Sequence, residues 1–435
     1  GADRGRRVTP VLPRTSVARA VAATLAVALV AACAGGSPAV PGAGGSFPTI
    51  DGAVLLVRGE RDLRPAGGDE AARAMANANL GFALDLYGVA AQREGNLVIG
   101  PHSISAVMAM VHLGARGQTE QDIARVLHFA EVGSDVPGAF NALDLALRSR
   151  SDSAVDLRIA NQAFAQPGFP FVEAYLASLT QDFGAPVAEL DFSDAERARA
   201  VVNRWAAQRT GDRIDDLFPA GSITPSTVLV LANAVSLVGQ WRYRFDPSLT
   251  SVAKFARPDG STVDVPMMHF DYSLPLAQGA DYAAVELPYG RGDLSMVLIL
   301  PDNMAAFEAA LSADRLQSIL ESINDGGIHL RLPRFSFRSD VDMDAALREL
   351  GLSGMFDVAD LSGMVEGGGL SVATVQHEAF IEVDEEGTRA HAATGAGIPV
   401  SHGPTIEFNR PFFFVIRDRP SGAILFLGRV TDPTR

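Results

Sequence analysis

The sequence contains a single cysteine, Cys33, and this feature limits most strongly how the chain can be stabilised. One thiol cannot form an intramolecular disulfide, and it cannot supply the paired cysteines of a structural zinc site. The fold must therefore be held together by packing. A chain of 435 residues, of which 47% are hydrophobic, is large enough to bury a core of that kind.

The first 33 residues have the pattern of a secretory signal peptide. An arginine-rich leader precedes an Ala/Val-rich run over residues 21–32, which is too short to span a bilayer comfortably. The run ends in Val-Ala-Ala-Cys, which resembles the bacterial lipobox, whose cysteine becomes the lipidated first residue of the mature chain. We expect Cys33 to carry a lipid anchor at the outer face of a bacterial cell membrane, extracellular or periplasmic. A plain signal peptide with an incidental cysteine is the alternative.

The rest of the chain divides into a tether and one large domain. Residues 34–68 are rich in Gly, Pro, Ala and Ser and predict a flexible tether, whereas residues 69–435 contain no second linker and no repeat. Helical spacing of apolar residues predicts helices over residues 71–91, 194–208 and 305–323, and another from about Ser103. Apolar or alternating runs predict strands over residues 228–238, 294–300 and 328–332. Helices come mainly first and strands later, which favours an α+β fold.

The charge and the motifs argue against several function classes. The net charge of −15 disfavours nucleic acid or anionic lipid headgroups as the main partner. The sequence has no GxSxG elbow, no HExxH pair and no Walker loop. Asp340, Asp342 and Asp344 imitate the start of a calcium loop, but its glycine and final glutamate are missing, so we expect a solvated turn and helix start. No enzyme activity, cofactor or metal is predicted, although a triad assembled in space stays open.

Several segments resemble the serpins, the family of serine protease inhibitors, and they follow in that family's order. They are residues 79–87, 96–119, 203–205, 210–214, 231–245, 287–289, 300–301, 408–412 and 424–430. The resemblance implies three β-sheets surrounded by helices, an exposed reactive loop near the C-terminus, no cofactor and a monomer. It also implies a mechanism: a target serine protease attacks the loop, and the severed loop inserts into the largest sheet while the protease is still covalently attached.

The loop has a composition suited to insertion as a strand. The residues that match the family's inhibitory hinge are Glu385, Glu386, Gly387, Thr388, Ala390 and Ala392. Because side chains alternate along a strand, the face that starts at Thr388 is small and largely apolar, while Arg389 and His391 fall on the other face. Gly395 and Gly397 add flexibility that weakens a strand. A flexible loop that does not insert, as in non-inhibitory members of the family, is the alternative.

The resemblance places the reactive bond near Val400. Counting from the C-terminal motif puts the cut between Val400 and Ser401, and counting from the hinge puts it between Ser401 and His402. We favour the first, because a small aliphatic residue before the bond fits the apolar specificity pocket of an elastase- or subtilisin-like protease.

Four further residues match family positions that control the largest sheet. Ser103, Asn233 and His377 match a polar gate beneath the sheet, and Trp241 matches the tryptophan at its top, where insertion begins. We expect a hydrogen-bonded trio at the gate. Ordinary core polar groups are the alternative, and Gly100 replaces a serine that is common there.

Two other functions compete with protease inhibition. The first is a non-inhibitory serpin-fold surface protein, such as a carrier or an adaptor. The second is a lipid-anchored solute-binding protein, which would need two lobes and a ligand cleft. In each case the membrane would be contacted only through the lipid on Cys33.

Overall fold

The structure is a computed structural model that describes residues 23–33, 50–57, 59–388 and 403–435. The helices are α1 (Gly68–Ala90), α2 (Pro101–Gly114), α3 (Gly117–Val126), α4 (Val136–Arg148), α5 (Glu173–Phe183), α6 (Ala195–Thr210), α7 (Met304–Ala309), α8 (Ala313–Glu321), α9 (Met343–Leu347) and α10 (Ser353–Asp357). Short 3-10 turns lie at Phe129–Glu131 and Pro247–Leu249, and a π-helical turn at Arg348–Leu352.

The strands crowd the second half of the chain. They are β1 (Ala23–Cys33), β2 (Val54–Val57), β3 (Leu97–Ile99), β4 (Val155–Ala165), β5 (Val187–Glu189), β6 (Thr227–Gln240), β7 (Ser251–Ala256), β8 (Thr262–Gln278), β9 (Tyr282–Pro288), β10 (Leu294–Pro301), β11 (Asn324–Pro333), β12 (Phe335–Asp340), β13 (Leu370–Val383), β14 (Gly387–Thr388), β15 (Thr405–Glu407), β16 (Phe412–Asp418) and β17 (Ile424–Val430).

Local sequence signals account for most helix boundaries. Pro101 occupies the first turn of α2, where its missing N–H costs no helical bond. Asp194 caps α6 by accepting a hydrogen bond from the Arg197 N–H, and Asp342 caps α9 in the same way, which confirms the predicted helix start there. The helix predicted over residues 305–323 is wrong as one element, because Ser312 caps a new helix, α8, after α7 has ended.

The strands form the three sheets that the resemblance implies. The largest has the order β12-β13-β1-β6-β4-β5-β2, and β14 pairs with β6 at one end. The other strands follow the order β15-β11-β8-β9-β10-β16-β17-β3, with β7 paired to β8. The strands before the β8–β9 junction are the second sheet, and those after it are the third. These two are continuous, because the last residues of the long strand β8 pair with β9.

The central strand β6 is buried on both faces. Leu229, Leu231, Val235 and Leu237 pack into the main hydrophobic core. Residues of the opposite parity, Val230, Ala232 and Ala234, pack into a second cluster under helix α6, which contains Trp205. Helix α6 therefore covers the face of β6 that is opposite the main core, over residues 230–234, and the sheet is buried on both faces there.

Residues 50–67 differ from the predicted tether. Strand β2 pairs antiparallel with β5 and extends the largest sheet at that edge. Ile50 and Ala53 pack against the cluster under α6, and the Asp62 N–H donates to the Gln181 carbonyl of α5 at 3.0 Å. Residues 50–57 and 59–67 therefore pack against the body that was predicted to begin at residue 69. The start of the domain at residue 69 stays a prediction.

The apolar run near the N-terminus also has a place in the sheet. Strand β1 lies between β6 and β13 and runs parallel to both. An apolar Ala/Val segment suits a position flanked by two strands, where every backbone group is paired. The prediction of a cleaved signal peptide stays a prediction. Among the described residues, no helix combines the length and the apolarity needed to cross a bilayer.

Candidate functional site

One strand, β1, lies between the two central strands of the largest sheet, β6 and β13. Strands β6 and β13 are parallel, and each pairs with β1 rather than with the other. Asn233 of β6 and His377 of β13 both lie opposite Leu29 of β1, so they stand at one level of the sheet. We call the position between β6 and β13 the slot.

The predicted hinge follows the end of β13 and makes a tight turn towards the end of β6. We call this end of the slot, beside Gln240, its top. The Asp384 carboxylate accepts hydrogen bonds from the Glu386 and Gly387 N–H groups at 2.9 and 3.2 Å. Burial raises the pKa of Asp384, although these two bonds favour its charged form. Because a short Asp side chain bonds its own backbone two residues on, the turn direction is set by the local sequence.

Glu385 fastens the hinge to the second sheet. Its side chain is buried, and its Oε1 atom accepts hydrogen bonds from Arg334 Nε at 2.8 Å and from the Thr250 hydroxyl. Burial opposes ionisation of Glu385, but the bonds from Arg334 and Thr250 outweigh it and hold the pKa below its usual value. The carbonyl of Glu385 also accepts from the Phe245 N–H at 3.1 Å. The base of the loop is therefore fixed.

Beyond this anchor the chain pairs with the last two residues of β6. Gly387 pairs antiparallel with Gln240, and Thr388 pairs with Gly239. Gly387 has a φ of 136°, and a Cβ at this position would lie 2.2 Å from the Gly239 carbonyl oxygen. Only glycine allows this approach, which explains why the hinge needs it.

Trp241 stands where the hinge meets the top of β6. Its indole is stacked on Tyr289 with ring centroids 4.6 Å apart, and its Nε1 donates to the Asp384 carbonyl at 2.9 Å. Its backbone N–H donates to the Glu386 carbonyl at 3.0 Å. Trp241 thus bonds the hinge directly, and its part in insertion stays a prediction.

The residues of the expected gate come from three elements, helix α2 and strands β6 and β13. Ser103 of α2, Asn233 and His377 are all buried. Asn233 Nδ2 donates to Asn161 Oδ1 on β4 at 2.6 Å, and the Gly100 N–H donates to His377 Nε2 at 3.3 Å. Strand β1 separates Asn233 from His377 here, so a hydrogen-bonded trio in a closed sheet stays a prediction.

Sequence reasoning missed three residues that hold this site. Asn161 extends the polar network from β6 to β4 and donates to the Phe183 carbonyl at 2.7 Å. Arg334 and Thr250 anchor Glu385. The only sequence signal for Asn161 is its polar side chain near the apolar end of β4. Nothing in the sequence near Arg334 or Thr250 marks those two residues.

The remaining predicted site residues lie outside the described residues. They are Ala390 and Ala392 of the hinge, and Val400, Ser401 and His402 of the reactive-bond alternatives. For Cys33 the structure gives only the backbone pairing with Leu237. Within the described ranges, no group of three or more His, Cys, Asp or Glu residues is arranged to hold a metal ion.

Comparison with known proteins assigns the family. Residues 77–433 match the family model "Serpin (serine protease inhibitor)". A leukocyte elastase inhibitor from Sus scrofa is 36% identical over 375 residues, covering 82% of this chain and 98% of that protein. An uncharacterised serpin-like protein from Thermococcus kodakarensis is 35% identical over 367 residues, covering 82% and 85%.

Solved structures agree on the architecture. Human thyroxine-binding globulin complexed with thyroxine superposes with a TM-score of 0.73 at 27% identity, covering 84% of this chain and all of that one. Maspin superposes with a TM-score of 0.77 at 24% identity, covering 83% of this chain and all of the other. With the ordered motifs, the hinge and the slot, these matches lead to one conclusion. The chain belongs to the serpin family of serine protease inhibitors.

Proposed function

We propose that this protein is a membrane-anchored inhibitor of elastase- or subtilisin-like serine proteases. It acts as a monomer by cleavage-triggered insertion of residues 387–400 into the slot. The catalytic serine of the protease attacks the Val400 carbonyl, the Val400–Ser401 peptide bond breaks, and the amine of Ser401 leaves. The protease stays attached through the ester to Val400. The family assignment removes the solute-binding alternative, since that function needs a different, two-lobed fold.

The pairing of the hinge with β6 is the observation that carries this proposal. Thr388 lies opposite Gly239 in an antiparallel ladder. Continued without a break, the same register places Pro399 opposite Val228 and Val400 opposite Thr227, the first residue of β6. The loop between the hinge and the favoured reactive bond therefore has the length of the strand beside it. The bond that is cut would finish at the far end of the sheet.

The same register supports the face assigned to each loop residue. Residues directly opposite in an antiparallel pair share a face, so Ala390, Ala392 and Ile398 would meet the core side of β6. Ala393, Gly395 and Gly397 would lie opposite Ala234, Ala232 and Val230, beneath helix α6. Small residues on this second face suit a strand that must enter under a helix.

Insertion would release enough free energy to trap a protease. About ten new ladder bonds at about 1 kcal/mol each, with the buried side chains, amount to on the order of 10 kcal/mol. That quantity is comparable to the stability of a whole domain. The target class rests on Val400, because a small aliphatic side chain suits a shallow apolar specificity pocket. The relatives named leukocyte elastase inhibitor support the same class.

The leader would have to leave before the loop could enter. Strand β1 fills the slot from the level of Thr227 to that of Leu237, and it runs parallel to β6, whereas the loop would run antiparallel. Cleavage before Cys33, as the lipobox resemblance implies, would remove residues 1–32 and vacate the slot. The lipid on Cys33 would then hold the mature protein at the outer face of the cell membrane.

Incubation with pancreatic elastase or subtilisin tests this proposal. We expect the chain that begins at Cys33 to give a band on denaturing gels with the combined mass of inhibitor and protease. The chain that retains residues 1–32 should give far less of this covalent complex. Thr388→Arg should be cleaved without complex formation, because a charge would have to enter the core side of the sheet.

Thr388→Ser is the matched control and should trap the protease normally. If the chain from Cys33 is cleaved near Val400 and yields no complex, the protein is a non-inhibitory serpin. If Thr388→Arg traps the protease as well as Thr388→Ser does, the assigned register is wrong.

A further inference from the structure

The segment just before helix α1 is fastened to the outer edge of the largest sheet. Strand β2 pairs with β5, with Val54 opposite Glu189 and Leu55 opposite Ala188. Strand β2 has only four residues, so its ladder with β5 supplies few backbone hydrogen bonds. Side chains on the neighbouring helices complete the attachment.

An ion pair with a buried carboxylate secures the segment. Arg61 Nη2 lies 2.5 Å from Asp144 Oδ2 of α4, and the Asp144 side chain is fully buried. Arg61 Nε donates to Asn141 Oδ1 at 2.8 Å, and Asn141 Nδ2 donates to the Asp62 carbonyl at 2.7 Å. We call residues 50–64 the docked segment, since these bonds join it to α4 while β2 joins it to the sheet.

The docked segment fixes where the preceding chain leaves the domain. Val54 stands at the level of Glu189, which is paired with Ala165, which in turn is paired with Leu229 of β6. Leu229 is near the start of β6, and Gln240 at its other end pairs with the hinge. At about 3.3 Å per residue, these two levels are about 36 Å apart. The chain therefore joins the sheet at the pole opposite the hinge.

The trapped protease would arrive at this same pole. In the register set by Thr388 and Gly239, Val400 finishes opposite Thr227. The slot and β2 are separated by β6, β4 and β5, which is four strand spacings or about 19 Å. The acyl bond to the protease and the point where the tether joins the domain would thus lie at the same pole, about 19 Å apart.

We infer that residues 34–49 are a spacer whose length makes room for the captured protease between the inhibitor and the membrane. This inference rests on the proposed function. A protease of about 250 residues is about 45 Å across. A tether of about 16 residues can extend to about 55 Å, although its average span is only about 22 Å. Six residues could extend to only about 20 Å.

The spacer is needed for capture and not for the first attack. Before cleavage the loop leaves the domain at the hinge pole, about 36 Å further from the anchor, where the membrane does not obstruct a protease. Shortening the spacer should therefore leave cleavage unchanged while it prevents the protease from reaching the other pole. The attached protease would then deacylate, releasing cleaved inhibitor.

The single cysteine allows a direct test. The chain that begins at Cys33 is coupled through this thiol to maleimide-lipid in neutral phosphatidylcholine vesicles. One variant lacks residues 37–46, and a matched control replaces the same ten residues with a Gly/Ser sequence of equal length. Each is exposed to elastase on vesicles and free in solution, and the partition between covalent complex and cleaved inhibitor is measured.

We expect the shortened chain to lose at least fivefold in complex yield on vesicles, with an unchanged rate of cleavage, and the Gly/Ser control to lose nothing. Free in solution, all three chains should trap elastase equally. Equal trapping by the shortened and control chains on vesicles would overturn the inference that residues 34–49 act as a spacer. Failure of the free, unaltered chain to form any complex would instead overturn the proposed function beneath it.

Discussion

Only one of the two polar atoms of the Asn233 side-chain amide has a hydrogen-bond partner among the described residues. Its Nδ2 atom donates to Asn161, while its Oδ1 atom is buried and has no hydrogen-bond partner among the described residues. A buried carbonyl oxygen without a donor costs about 1–3 kcal/mol. In the proposed register Thr394 lies opposite Asn233 and on the same face, so its hydroxyl could supply the missing donor.

Thr394→Val should therefore destabilise only the loop-inserted form. We expect the free energy of unfolding of the cleaved protein to fall by about 1–2 kcal/mol, with that of the uncleaved protein unchanged. Unfolding in guanidinium before and after cleavage measures both quantities. Thr394→Ser keeps the hydroxyl and should behave as the parent, and an equal loss in Thr394→Val and Thr394→Ser would contradict this pairing.

Single residues also show where sequence reasoning stops. The hinge could be found from its own residues, because Gly387 and Thr388 belong to a contiguous motif. The anchors of Glu385 could not, since Thr250 is 135 positions and Arg334 is 51 positions away in the chain. Only the antiparallel packing of distant strands brings these side chains to one carboxylate.

At the scale of elements, helix α6 restricts what can enter the slot. Ala232 is fully buried in the cluster beneath the helix, and Gly395 would lie opposite it. Gly395→Leu should slow insertion, because the added side chain has to pass under α6. We expect the number of inhibitor molecules consumed per protease trapped to rise at least threefold, measured by titration against elastase.

The control is His391→Leu, which replaces one side chain by another of similar bulk at the level of Ser236. This variant should leave that ratio near its parent value. A ratio for Gly395→Leu that matches the control would mean that α6 moves aside freely. The helix would then place no limit on the loop.

The attachment of the docked segment to α4 predicts a pH-dependent stability. Burial opposes ionisation of Asp144, but Arg148 and Arg61 outweigh it and hold its pKa below the usual value. His102 of α2 is the other titratable group that acts on Asp144, and burial lowers its pKa to about 4, so it is neutral at pH 7. The stability contributed by ionised Asp144 is present above its unfolded pKa of about 4 and is lost as pH falls through the lower folded pKa.

Arg61→Ala should lower the free energy of unfolding by about 2 kcal/mol at pH 7, since only Arg148 would remain to balance the buried charge. The deficit should shrink below about pH 4, where Asp144 begins to bind a proton in the variant. Denaturant unfolding across pH 3–7 measures this deficit. The control is Arg64→Ala, which removes one positive charge from an exposed residue. A deficit that does not depend on pH would contradict the role of Asp144.

Elements differ in how far the sequence determines them. Apolar spacing predicts α1 and β6 well, because each buries its own repeating face. Strand β2 could not be predicted, since four apolar residues among Gly and Pro carry no period, and only the open edge of β5 selects them. The same holds for β1, whose place depends on two strands that are distant in sequence.

For the molecule as a whole, loop insertion would make the uncleaved fold higher in free energy than the cleaved one. Strand β1 of the largest sheet precedes all the other strands in the sequence. The loop that would replace it follows Gly387 and Thr388, which pair with the end of β6. Family membership could be predicted from ordered motifs across the chain, and it was confirmed over residues 77–433. The energy released on cleavage cannot be read from motifs, because it is a difference between two folded states.

The melting temperature before and after cleavage near Val400 shows whether the loop inserts. For a domain of this size, release of on the order of 10 kcal/mol corresponds to a rise of about 12 °C. We predict an increase of at least that size for the chain that begins at Cys33, with no dissociation of the cleaved fragments. An unchanged melting temperature after complete cleavage would contradict loop insertion and leave only the fold.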